Sequence, residues 1–150
     1  GLPWFRNEVG PRLVDRIEFE RRWRAEQGHH AGRQSLALAR AFLAAGTTRL
    51  RTHVDIDTEA LLDAALGAGA DLVGGLDPCA IEGDPVAAVD LMFRLAERHG
   101  SGIDLHLHER GEMGAASLGL VLDRTAALGM SGRVAISHGF CLGGAEPRVR

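Results

Sequence analysis

The 150-residue chain contains no lysine and no tyrosine, and all 17 of its basic residues are arginine. Without lysine there is no Schiff-base nucleophile, no lysine-cradled phosphate loop and no metal site bridged by a carboxylated lysine. Cysteine is scarce too. Cys79 and Cys141 are the only two, which excludes a disulfide framework and suits two reduced thiols. A net charge of -3 with no dense basic run argues against binding nucleic acid through phosphate neutralisation. No run of about 18 apolar residues and no leader-like segment is seen, so neither a membrane span nor export is expected and the cytoplasm is the expected location.

What is present is an ordinary folded-protein composition, 45% hydrophobic and 25% charged, too apolar for a disordered chain. Seven histidines stand where chemistry is to be sought. The spacing predicts a helix from Arg12 to about Gln27, with Leu13, Val14, Ile17 and Trp23 as its apolar stripe. A second helix over 33–45 ends at Gly46. The period then changes: Thr47 to Asp57 (TTRLRTHVDID) alternates and is β-branched, which predicts a strand. Thr58 to Gly67 returns to helix, and Ala70 to Leu76 predicts a short buried strand. Asp84-Pro85 opens a helix reaching about His99, with Asp84 as its N-cap. Ser101 to His108, a helix over 112–129, and Arg133 to His138 complete four strands.

Strict alternation of strand and helix implies parallel strands with helical crossovers. An open doubly wound sheet competes with a closed barrel. The only Gly-rich candidate, Gly74-Gly75, lacks the dinucleotide-binding spacing. A full barrel needs eight units, so four strands make a barrel only in part.

His53, His106, His108 and His138 fall in predicted strands or at their C-terminal ends, the rim where parallel α/β folds bind ligands. In Asp104-Leu105-His106-Leu107-His108-Glu109 the period of two puts Asp104, His106 and His108 on one face and the leucines on the other. A polar face turned inward needs a partner. Neutral imidazole suits zinc or iron, and Glu109 beyond it suits proton transfer. A polar strand end that simply meets solvent is the plainer alternative. His138, followed by Gly139, can ligate a metal, orient water or touch substrate. Arg51, His53 and Asp55 share a face, which an internal ion-pair network explains equally well. Asp77 adds a carboxylate near the rim. His29, His30 and His99 are expected at the surface.

RTHVDID, ADLVGGLDP, IDLHLHE and VAISHGFCLG, in that order, together resemble the cytosine deaminase branch of the amidohydrolase superfamily. The resemblance implies part of a (β/α)8 TIM barrel of the metal-dependent hydrolase type, with one divalent ion, zinc or iron. It implies hydrolytic deamination of a cytosine-like cyclic amidine or small N-heterocycle. An amidohydrolase acting on a triazine or cyclic amide, or a barrel fragment without catalysis, is the alternative. Carried over, His106 matches the metal-binding His and Glu109 the proton-carrying Glu. His138 matches the His that hydrogen-bonds the hydrolytic water. His53 and Asp55 match the second-strand signature without a defined role. His108 stands where the family more usually has an acidic residue, and with His53, Asp55 and Asp77 it is a rim or substrate-contact candidate. The expected partner is a small heterocycle, and a homo-oligomer is left open.

Relative to that family the chain is short. The first-strand His-x-His pair and the eighth-strand Asp are not in the sequence. Residues 1–150 then form a single partial barrel domain. The short step from TTRLRTHVDID to ADLVGGL predicts that about one βα unit is missing between Asp57 and Thr58. Their Cα atoms are therefore expected much farther apart than the ~3.8 Å of a bonded pair.

Overall fold

The computed structural model describes residues 9–26, 31–50, 52–53 and 58–144. It divides into two compact units, Gly1–Thr52 and His53–Arg150. The join at Asp57–Thr58, together with Asp55, His29 and His30, lies outside the described residues.

The first unit holds two helices, α1 (Leu13–Glu26) and α2 (Ala31–Ala44). On α1, Ile17 and Trp23 are half-buried while Val14 is exposed. Residues Thr47–Leu50 form no strand, contrary to the alternating pattern. A strand needs a hydrogen-bonded neighbour and a buried face, and Leu50, its one large apolar residue here, is 55% exposed. His53 is likewise outside any strand. Among the described residues the strands therefore number three.

The second unit runs α3 (Glu59–Gly67), β1 (Leu72–Leu76), α4 (Pro85–His99), β2 (Gly102–Leu107), α5 (Gly111–Ala127), β3 (Val134–His138) and a 3-10 turn (Phe140–Gly144). The helix starts are chemically specified. Thr58 accepts from the Leu61 N–H, and Asp84 accepts from the Ala87 N–H at 3.0 Å with Pro85 opening α4. Gly100, in the left-handed region at φ 64°, closes α4.

The sheet is parallel, in the order β1-β2-β3. Its register sets Leu76 beside His106 and His106 beside Ser137. One face is apolar. Val73, Ile103 and Leu105 form a core with Val89, Met92 and Phe93 of α4 and with Val121 of α5. A fully buried aliphatic side chain of this kind contributes roughly 1.5–3 kcal/mol. The alternation expected for β2 is observed, with Leu105 and Leu107 fully buried. Asp104 and His106 stand on the opposite face, and the strand C-termini carry the polar residues to one rim.

His99, expected at the surface, is half-buried, and its Nε2 lies 2.8 Å from Asp63 of α3. Arg98 donates to the same carboxylate at 2.8 Å. The two groups hold the Asp63 carboxyl below its ordinary range, His99 first. The end of α4 is thereby tied to α3.

Candidate active site

The rim is built from the ends of β1, β2 and β3. At the end of β1 the chain turns through Asp77, a non-glycine residue at φ 43°, an uncommon conformation that Asp tolerates better than most. The turn leaves Asp77 buried and aims its carboxylate at the exit of β2. Oδ1 accepts the His108 N–H at 2.5 Å and the Glu109 N–H at 3.2 Å. Oδ2 lies 3.0 Å from His108 Nδ1. A carboxylate only accepts, so Nδ1 carries the ring proton and Nε2 keeps its lone pair free for a ligand.

β3 ends in a similar device. His138 lies at φ 72° and Gly139 at φ 57°. Register pairs His138 with Leu107, whose side chain is fully buried. The left-handed backbone at the strand end instead brings the His138 ring to the rim. Its centroid is 5.2 Å from that of His106 and 4.2 Å from that of His108. One ligand atom from each of His106, His108 and His138 falls within 4.8 Å of the others. His53, Asp104 and His106 form a second group of the same compactness, sharing His106.

Asp104 is buried on the sheet face below them. Oδ1 accepts the Ser137 hydroxyl at 3.1 Å, and Oδ2 meets His53 Nε2 at 3.1 Å. His106 sits between these groups. Burial, its largest influence, together with the neighbouring His53, His138 and His108 holds the His106 pKa below the ordinary imidazole value, although Asp104 opposes this. The ring therefore favours its neutral, ligand-ready form. His106 Nε2 is buried and has no hydrogen-bond partner among the described residues. A buried polar atom left unpaired is costly. The ring that carries it stands beside two further imidazoles, the donor set that zinc and iron take. The residues present therefore fit a divalent cation.

Glu109 is placed differently. Its side chain reaches the loop after β1 and the second turn of α5. Oε1 accepts the N–H groups of Cys79 at 2.8 Å and Ala80 at 2.7 Å, while Oε2 accepts the Ser117 hydroxyl. The structure thus brings together His53, Asp77, His106, His108 and His138, five of the residues expected from the sequence. Glu109 stands beside them with its carboxylate held from behind. Ser117 was invisible to sequence reasoning, since its only signal is a polar residue amid the small apolar ones of α5. Cys79 and Cys141 are free thiols, Cys141 buried.

No family model matches the chain. The solved N-isopropylammelide isopropylaminohydrolase from Burkholderia multivorans ATCC 17616 is 56% identical over 99% of this chain, with a TM-score of 0.82. The match covers 47% of that enzyme, so the chain spans about half its length. The N-isopropylammelide isopropyl amidohydrolase of Pseudomonas sp. (strain ADP) is 39% identical over 59% of this chain and 22% of its own length. A 5-methylcytosine deaminase from Klebsiella pneumoniae, solved with phosphonocytosine, is 28% identical over 59% of this chain and 22% of that chain, with a TM-score of 0.52. The parallel α/β architecture agrees with part of the TIM barrel of these enzymes. The chain is thus a homologue of amidohydrolase-superfamily enzymes and corresponds to a part of each.

Proposed function

We propose that the intact protein is a metal-dependent hydrolase that removes an amino or alkylamino group from a small N-heterocycle. The observation that carries this reading is the orphaned, buried Nε2 of His106, in a ring grouped with those of His108 and His138 at the strand ends. Homology to hydrolases acting on C–N bonds supports it. Residues 1–150 then belong to a single partial barrel domain that lacks about one βα unit between Asp57 and Thr58.

In this reading His106, with His108 beside it, would hold the divalent ion, zinc or iron. A bound ion supplies Lewis acidity at the rim. Asp77 fixes the tautomer of His108 and so presents its Nε2. His138 donates or accepts a hydrogen bond to the attacking water. Glu109 carries a proton from that water to the ring nitrogen and the leaving amine. Release of ammonia or an alkylamine completes the hydrolysis, with water supplying the oxygen left on the ring. His53 borders the rim, and His53 and Asp55 are the candidates for contact with the heterocycle.

A triazine carrying an alkylamino group is favoured over a cytosine-like amidine by the 56% identity to the Burkholderia enzyme, against 28% to the Klebsiella one. The test uses the full-length protein, assayed for metal content and for amine release. About one equivalent of zinc or iron is expected. Isopropylamine from N-isopropylammelide should outpace ammonia from cytosine or 5-methylcytosine. Less than about 0.1 equivalent of metal, with no amine from any of the three, removes the proposal. Faster release from cytosine would return the substrate to the amidine class.

A further inference from the structure

The grip on Glu109 is more than a chance contact. The carboxylate is buried, 6% exposed, and both of its oxygens are engaged. The jaw on Oε1 is backbone, the N–H groups of Cys79 and Ala80. The jaw on Oε2 is a side chain, the hydroxyl of Ser117. Ser117 is fully buried in the second turn of α5, a place where serine is a poorer helix former than alanine and packs no better. Its oxygen is also 3.2 Å from Cys79 Sγ, so the two jaws touch each other.

The helix is seated to make this contact. Gly114, one turn before Ser117, lies so close to the strand exit that an added Cβ would collide with the Glu109 carbonyl and approach Cys141 Cβ to 2.7 Å. Only a residue without a side chain lets α5 come this near to Glu109. The close approach brings the next turn, and with it Ser117, under the carboxylate.

We propose that Ser117 is a positioning residue for Glu109. Its hydroxyl fixes Oε2 while the Cys79 and Ala80 amides fix Oε1, and together they set the angle at which the carboxyl is presented to the rim. The proposal rests on the reading of Glu109 as the proton carrier. A carboxylate gripped at both oxygens cannot spin about its last torsion, and a misplacement of about 1 Å in a reacting group can cost on the order of 100-fold in rate.

The experiment compares Ser117→Ala, Ser117→Thr and Ser117→Val with wild type in the metal-loaded full-length enzyme. It uses steady-state kinetics on whichever of the three heterocycles is turned over, and crystal structures of wild type and Ser117→Ala. Ser117→Ala should lower kcat by roughly 10–100-fold with KM unchanged within about threefold. Thr and Val share one shape, so only the Thr variant should keep activity, with kcat at least about fivefold above that of Val. In the Ser117→Ala crystal Oε2 should leave its wild-type position. The proposal is overturned if kcat of Ser117→Ala stays within about twofold of wild type, if Thr and Val fall equally, or if the Glu109 carboxylate has not moved. Wild-type turnover by Glu109→Gln would remove the proton-carrier reading instead. The crystal comparison would then decide alone whether Ser117 sets the carboxylate.

Discussion

Asp77 grips His108 twice, by its backbone N–H at 2.5 Å and by its ring Nδ1 at 3.0 Å. One carboxylate thus fixes the place where β2 ends and the tautomer of the imidazole that follows. A ligating histidine is commonly oriented by a carboxylate on its other nitrogen, and removing that partner typically costs 10–100-fold in metal affinity. Asp77→Asn should therefore weaken zinc binding by about that factor. Competition of the full-length protein against a chelator of known affinity measures it. Unchanged affinity would show that His108 takes no part in holding the ion.

The His106 ring should make both folding and metal loading pH-dependent. Its pKa in the folded protein lies below the 6.5 of a free imidazole, so the unfolded chain binds the proton more readily. The stability associated with its neutral form is present above pH 6.5 and is lost as pH falls from there through the folded-state value. Urea denaturation of the metal-free protein should show this slope, and His106→Gln should flatten it. Metal uptake should fall over the same range, because the proton and the cation compete for one nitrogen.

Two glycines near the sheet should respond differently to a methyl group. At Gly114 an added Cβ meets backbone, the Glu109 carbonyl, with Cys141 Cβ beside it. At Gly75 it meets the thioether of Met92 and, at 3.1 Å, Leu105 Cδ1, side-chain ends that can turn aside. Gly114→Ala should cost about 3 kcal/mol or more, and Gly75→Ala less, about 1 kcal/mol. Chemical denaturation of the two variants in parallel gives the order. The reverse order would mean that α5 slides more readily than Met92 repacks.

Leu105 is fully buried at the centre of the sheet face. Leu105→Ala should destabilise the protein by roughly 2–5 kcal/mol. Its rim geometry should change little, since Asp104 and His106 face the other way. A lowered melting temperature with metal affinity intact is the expected result.

Much of this was legible in the sequence because local chemistry and tertiary fate agree. Asp84-Pro85 opens α4 by capping, and the period of two in Asp104–His108 separates leucines from histidines whatever the sheet order. The stretch from Thr47 alternates just as clearly, yet residues 47–50 form no strand. Alternation marks a face, whereas a strand also needs a neighbour to bond with. The hold on Glu109 was illegible for another reason. Cys79 and Ala80 act through their backbone N–H groups, which any residue but proline supplies, and Ser117 joins them only once α5 is packed. The turn of His138 is a backbone torsion, visible in the sequence only as the glycine that follows.

The loop after β1 and the exit of β2 hold each other in both directions. Asp77 accepts from the amides of His108 and Glu109, while Glu109 accepts from the amides of Cys79 and Ala80. Neither segment can open without breaking bonds made by the other. In hydrogen exchange these four amides should therefore behave as one unit, released together at a single opening free energy. Glu109 and His108 would then share one clock, opening and closing as a pair.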